Sequence, residues 1–278
     1  ILFKLRVLLV IKRRGSFMIS MNRILAVALR HLYLQVRDIM RLADVTYWPA
    51  IDMILWGFNS NWYIEMGANP NMILAILICS LLWQITYRTN LELSTNLLEE
   101  IWERNVMNLF STPLCFIEWV IGLMLVGIVR VAFVLITCLL VNRYVFGIAL
   151  VQFGYLPFVA SIATLIFTGW SVGFFNASAV LLLGRRAQSM PWILGWLLAP
   201  FCGAFSDIEV LPLWMQKVSP YIPMTYIFKA ARESVNTGTF HYNYLLISFG
   251  VAMVYLILGY SLFLLVFYRC RERGLSTL

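Results

Sequence analysis

The chain has 278 residues, of which 62% are hydrophobic and 12% charged, with a mean hydropathy of +0.83. A soluble domain carries about 25% charged residues, so the composition excludes an ordinary soluble globular protein, and several apolar runs of about 20 residues point to an integral helical membrane protein. The net charge of +8 would suit nucleic-acid binding in a soluble protein, but here the placement of the charges gives another explanation.

Residues 1–21 begin with an apolar piece too short to span a bilayer. A Lys-Arg-Arg cluster follows it, where a signal peptide would have a small-residue cleavage site. These residues are read as an extension, with Met18 or Met21 as candidate starts. Residues 22–42 read as one amphipathic helix. Arg23, Arg30, Arg37 and Arg41 share a stripe when each residue is turned by about 100°, and Ile24, Leu25, Leu32, Val36 and Ile39 fall opposite. Such a helix suits the membrane surface among anionic head groups; a solvated helix packed on a neighbour is the alternative.

Six spans are expected next, over 45–64, 71–87, 114–141, 155–183, 191–205 and 244–268. The fifth is short for a full crossing. The segment after it, 206–240, holds Pro212, Pro220 and Pro223 and reads as a helix that returns part-way. That is allowed only where protein or water covers the backbone. The expected fold is therefore an all-α integral membrane protein. Residues 22–278 form one six-span domain with an N-terminal interfacial helix and a re-entrant helical segment between spans five and six.

The polar stretch Arg88–Pro113 lies between spans two and three. Its glutamates predict a loop or surface helix outside the lipid. Leu97, Leu98, Ile101 and Trp102 recur at helical spacing with Glu99, Glu100 and Glu103 between them, giving an apolar ridge with an acidic flank. The ridge either packs on its own bundle or serves as a handle for another protein.

Most of the 21 Lys and Arg residues fall on the side that holds both termini and this stretch. Positive residues stay on the cytoplasmic side, so both termini are expected in the cytoplasm of a multi-pass inner-membrane protein, and no nucleic acid is needed to explain the charge. Asp52, Glu118 and Arg130 fall inside expected spans. A charge at the bilayer centre costs at least about 2.5 kcal/mol and tends to face protein or water. Asp52 and Glu118 lie near span ends and also fit the interface; Arg130 is deeper and its partner is not readable. Cys79, Cys115, Cys138, Cys202 and Cys270 show no metal-ligand spacing. His31 and His241 read as ordinary surface or interface residues. None of Lys4, Lys12, Lys217 and Lys229 follows a glycine, so no P-loop is written in the sequence, and no catalytic constellation is visible.

Two segments resemble the type-2 ABC exporter permease family. Glu99-Glu100-Ile101-Trp102-Glu103-Arg104, leading to Ser111-Thr112-Pro113, is similar to the acidic cytoplasmic helix between that family's spans two and three. Where the family often has Gly-Thr, this chain has Arg104-Asn105. The run from Gly203 through Leu211-Pro212-Leu213-Trp214-Met215-Gln216 and Pro223-Met224-Thr225 to Arg232 resembles the family's Pro-rich return after span five. Gly184-Arg185-Arg186 resembles its basic turn. The resemblance implies the permease subunit of an ATP-driven exporter, working as a dimer, either a homodimer or a heterodimer, with no cofactor of its own. ATP and Mg would sit on a separate cytoplasmic ATPase dimer. It implies docking through Leu97, Leu98, Glu99, Glu100, Ile101, Glu103, Arg104, Arg185 and Arg186, and an external gate at Gly203, Leu211, Pro212, Trp214 and Pro223. Ordinary packing in an aromatic belt also fits Leu211, Pro212 and Trp214. The alternative function is an ATPase-independent channel or ion-coupled carrier using Arg130 and Asp52. Drug, lipid and polysaccharide cargo are equally compatible with the sequence.

Overall fold

The computed structural model describes residues 19–67, 69–147 and 154–273; the expected extension falls outside these up to residue 18. Among the described residues the chain is helical, with no strand. Its helices are α1 (Met21–Arg37), α2 (Ile39–Glu65), α3 (Pro70–Trp102), α4 (Val106–Ser111), α5 (Phe116–Val145), α6 (Tyr155–Leu183), α7 (Met190–Leu198), α8 (Leu213–Val218), α9 (Pro223–Thr237) and α10 (Tyr242–Arg273).

Among the described residues, four stretches are long and apolar enough to cross a membrane: Asn71–Trp102, Phe116–Val145, Tyr155–Leu183 and Tyr242–Glu272. In α2, Asp44 and Asp52 dilute the apolar sequence, although 27 residues would extend about 40 Å. The nine residues of α7 reach only about 14 Å, under half of a ~30 Å hydrocarbon core.

The first departure from expectation is at the N-terminus. The helix expected over 22–42 breaks at Asp38, which is extended (φ −103°, ψ 111°). The Asp38 carboxylate accepts from Met40 N at 2.9 Å and so opens α2; residues 39–42 begin the next helix.

The second departure is larger. Up to Trp102 the polar stretch is no separate loop element: α3 runs unbroken for 33 residues from Pro70 through Trp102, and the Asn69 side chain caps it by accepting from Asn71 N. No Gly or Pro stands between Pro70 and Pro113 to interrupt it. At about 50 Å, α3 outruns a hydrocarbon core of about 30 Å.

The helix α3 is the centre of the fold. Its apolar window is 89% buried, against 50% for α6, 28% for α5 and 22% for α10. Around its first half, Leu77, Ile78, Trp83 and Ile85 pack with Cys202, Ala204, Ile227 and Phe228. Around its second half, Leu97, Leu98 and Ile101 pack with Val27, Trp119, Leu123, Val180, Leu181 and Phe263.

The close approach of α6 to α3 depends on small residues. A Cβ at Gly169 would lie 2.7 Å from Thr86 O, and one at Gly173 would lie 3.0 Å from Asn90 O. This four-residue spacing of glycines lets two apolar helices meet backbone to backbone.

Candidate functional site

The acidic end of α3 is enclosed by arginines from α1 and the start of α2. Arg30 Nη2 lies 2.8 Å from Glu100 Oε1, and Arg41 Nη2 lies 3.0 Å from Glu99 Oε2. Asn105 Nδ2 donates to the other Glu100 oxygen at 2.7 Å. A third arginine, Arg23, holds Glu118 at the start of α5 (2.7 Å), while Ser20 N and Cys115 N donate to the same carboxylate, each at 2.8 Å. Glu118 is thus an internal N-cap clasp, fully buried and satisfied by charge-assisted bonds.

Three of the four stripe arginines turn inward. Arg23, Arg30 and Arg41 pair with the protein's own carboxylates. The outward residues of α1 are apolar: Leu25, Leu29, Tyr33 and Val36 are exposed, and Arg37 is the stripe residue that stays outside.

The expected docking residues divide into two sets. Leu97, Leu98 and Ile101 are at most 2% exposed, so the ridge is covered by this chain's own helices. Glu103 caps α3, and Trp102, Glu103 and Arg104 are exposed. Arg104 has left-handed backbone, φ 54°, which closes the helix while Asn105 N reaches back to Glu100 O at 2.9 Å. Arg185 and Arg186 sit on a short 3-10 turn, Gly184–Ala187; Arg186 is exposed, and the side chain of Arg185 lies outside the described residues.

Arg130 has a partner that the sequence did not name. Its Nη1 lies 3.0 Å from Glu92 Oε2, with the glutamate 2% exposed, and Asn96 Nδ2 donates to Glu92 Oε1 at 2.7 Å. Arg130 lies about 21 Å along α5 from its start, so this pair joins the middle of α5 to α3. Glu92 was unremarkable as one glutamate among several.

His31 also departs from expectation. It is 2% exposed, and neither ring nitrogen has a hydrogen-bond partner; Asn96 lies near without bonding geometry. Burial first, then the positive charges of Arg30, Arg130 and Arg41, push its pKa down to about 4, with Asn96 opposing.

The segment between α7 and α9 is a compact hairpin built on one buried arginine. Arg232 donates to the carbonyls of Gly203 and Ala204, and its Nε lies 3.1 Å from Asp207 Oδ1. Gly203 needs its φ of +73°, and a Cβ there would lie 2.9 Å from Ile208. Phe205, projecting from this turn, stacks on Trp56 with centroids 4.3 Å apart, close to Trp83 and Trp196. Pro212 precedes α8, the Leu211 carbonyl accepts from Gln216 at 2.8 Å, and Pro223 opens α9 with its carbonyl accepting from Ser248 at 2.7 Å. Trp214 is exposed, edge-on to Phe201 at 5.7 Å. Arg232 was visible only as the last residue of a resembling run; its three acceptors could not be assigned from sequence.

Asp52 faces an open cleft of about 490 Å³ between α2, α3 and α7. Gln84 Nε2 donates to its Oδ2 at 2.7 Å. Arg88 crosses from α3 to Asp44 at 2.8 Å. The structure thus brings Asp52 near neither Arg130 nor Glu118; each has its own partners. No family model matches the chain, and no curated protein matches its sequence.

Proposed function

We propose that the chain is the permease subunit of an ATP-driven exporter, with the hydrolysis performed by a separate cytoplasmic ATPase dimer that holds ATP and Mg. The observation that carries this reading is the end of α3. A rigid helix longer than a membrane core finishes in exposed Trp102, Glu103 and Arg104, and arginines of α1 and α2 clamp it to its neighbours. A push on this end is transmitted along α3, the most enclosed helix. The left-handed residue Arg104 stands where the resembling family often has glycine, the residue for which that backbone is least strained.

In this reading six segments cross the inner membrane: α2, the four long helices, and α7 continued to residue 205, with α8 and α9 forming the re-entrant pair. Both termini and the α3 end are cytoplasmic, anionic lipid lies against α1, and two copies line the path. The contact on the ATPase is made by Trp102, Glu103, Arg104 and Arg186, with Leu98 and its neighbours beneath as support.

A second reading, an ion-coupled carrier or channel, is favoured by one observation: the Glu92–Arg130 pair buried mid-protein, since intramembrane ionisable residues commonly mark ion pathways. Transport into membrane vesicles separates the two. The exporter reading expects uptake that follows ATP and ignores a proton gradient. Uptake by the chain alone, driven by the gradient, overturns it.

A further inference from the structure

The open cleft between α2, α3 and α7 has a chemistry that neither the clamp nor the hairpin uses. Its walls carry Trp48, Trp192, Trp196 and Tyr87, with Asp44, Asp52, Gln84 and Arg88 at polar positions. Trp48, Trp192 and Trp196 are 58%, 40% and 47% exposed; Trp196 already stacks with Phe205 on one side, and the remaining indole surface is open to a ligand.

The polar groups do not cancel. Arg88 is matched by Asp44, which leaves Asp52 as the surplus charge, and two carboxylates against one guanidinium make the cleft net negative. Gln84 is 4% exposed and lends its NH2 to Asp52, while its carbonyl Oε1 is buried with no hydrogen-bond partner. An unmet buried acceptor beside a carboxylate costs free energy until a donor arrives. Two acceptors side by side suit an N–H donor carrying positive charge, and tryptophan faces attract cations and flat apolar bodies. About 490 Å³ lies within the ~300–1,000 Å³ typical of small-molecule sites.

We propose that this cleft binds a lipophilic aromatic cation, with its N–H groups on Asp52 and Gln84 and its ring system against Trp192, Trp196 and Trp48. As a statement about binding this stands on the cleft alone; as a statement about cargo it rests on the exporter reading.

The test uses the full chain purified in detergent, without any ATPase, and ethidium as the probe, a flat cation with N–H donors. Saturable binding is read by fluorescence, with fluorescein as an anionic aromatic control. The expected result is binding of ethidium and not fluorescein, weakened at least about tenfold by Asp52→Asn and also by Trp192→Leu, a substitution at a partly exposed position that spares the core. Equal affinity of the Asp52→Asn protein, equal binding of fluorescein, or no saturable ethidium binding each overturns the proposal. Because no motor protein is present, such a failure leaves the exporter reading to be judged separately.

Discussion

The two halves of α3 are equally hidden and chemically opposite. From Leu77 to Ile85 the helix is covered by apolar side chains of α9 and the hairpin. From Arg88 to Glu100 it carries Arg88, Glu92 and Glu100, all under 9% exposed, and each is held by an opposite charge on another helix. The first half is stabilised by non-directional burial, at roughly 25 cal/mol per Å² of apolar surface. The second half depends on individual partners, because an unmatched buried charge is expensive. The lesson is that polarity in a membrane protein does not by itself mean exposure: a charged segment can be interior when its counter-charges come from elsewhere in the chain.

The comparison is broken most severely by orphaning a charge. Arg130→Met leaves Glu92 buried alone and should destabilise by about 3–5 kcal/mol, whereas Glu92→Met with Arg130→Met should recover most of it. Thermal unfolding in detergent reads both. Equal loss in the double variant would show that the pair is not coupled.

His31 sharpens the comparison through pH, since it sits among the arginines of the polar half. Its pKa is held near 4 when folded against about 6.5 when unfolded. The unfolded chain therefore binds the proton more readily, and stability is full above about pH 6.5 and falls as pH drops toward 4, by about 2 kcal/mol at pH 5. His31→Leu should flatten that part of the profile. An unchanged slope between pH 7 and 5 would place the acid sensitivity elsewhere.

Packing is the next smaller lever. Gly173→Val drives a side chain into the Asn90 backbone, where even a Cβ would lie 3.0 Å from the carbonyl. Overpacking of this kind costs about 1–3 kcal/mol, so the melting point should drop, while Gly250→Val, which meets nothing within 4 Å, should be close to neutral in comparison. The smallest effect runs the other way. Arg104→Gly relieves a left-handed residue and should gain up to about 1 kcal/mol; a loss would mean that the arginine side chain matters more than its backbone.

The long apolar helices were legible because their runs match the bilayer, and 155–183 coincides with α6. The continuation of α3 was not. Glutamates suggested water, and the arginines that neutralise them are remote: Arg41 is 58 residues from Glu99. One local signal was available, the absence of any Gly or Pro between Pro70 and Pro113, and it favours one continuous helix. The arginine stripe on α1 was seen correctly as a stripe, but periodicity gives a face and not what the face meets. The Leu97, Leu98 and Ile101 ridge illustrates the same limit, since an apolar ridge looks alike whether a partner or the chain itself covers it. Arg232 could not be placed in advance because its main acceptors are backbone carbonyls, which carry no sequence signature.

The central claim is that the exposed tip of α3 is gripped by an ATPase. It is tested most directly by purifying the tagged chain from its own membranes in mild detergent and measuring ATP hydrolysis in the eluate, for the native chain and for Glu103→Lys. Glu103 is exposed, so the substitution spares the fold, unlike Leu98→Asp, which would put a charge in the core. The account predicts a co-purifying P-loop ATPase with hydrolysis that Glu103→Lys largely removes while the chain stays monodisperse. A chain that elutes with no ATPase, or one whose ATPase is unaffected by Glu103→Lys, would contradict it.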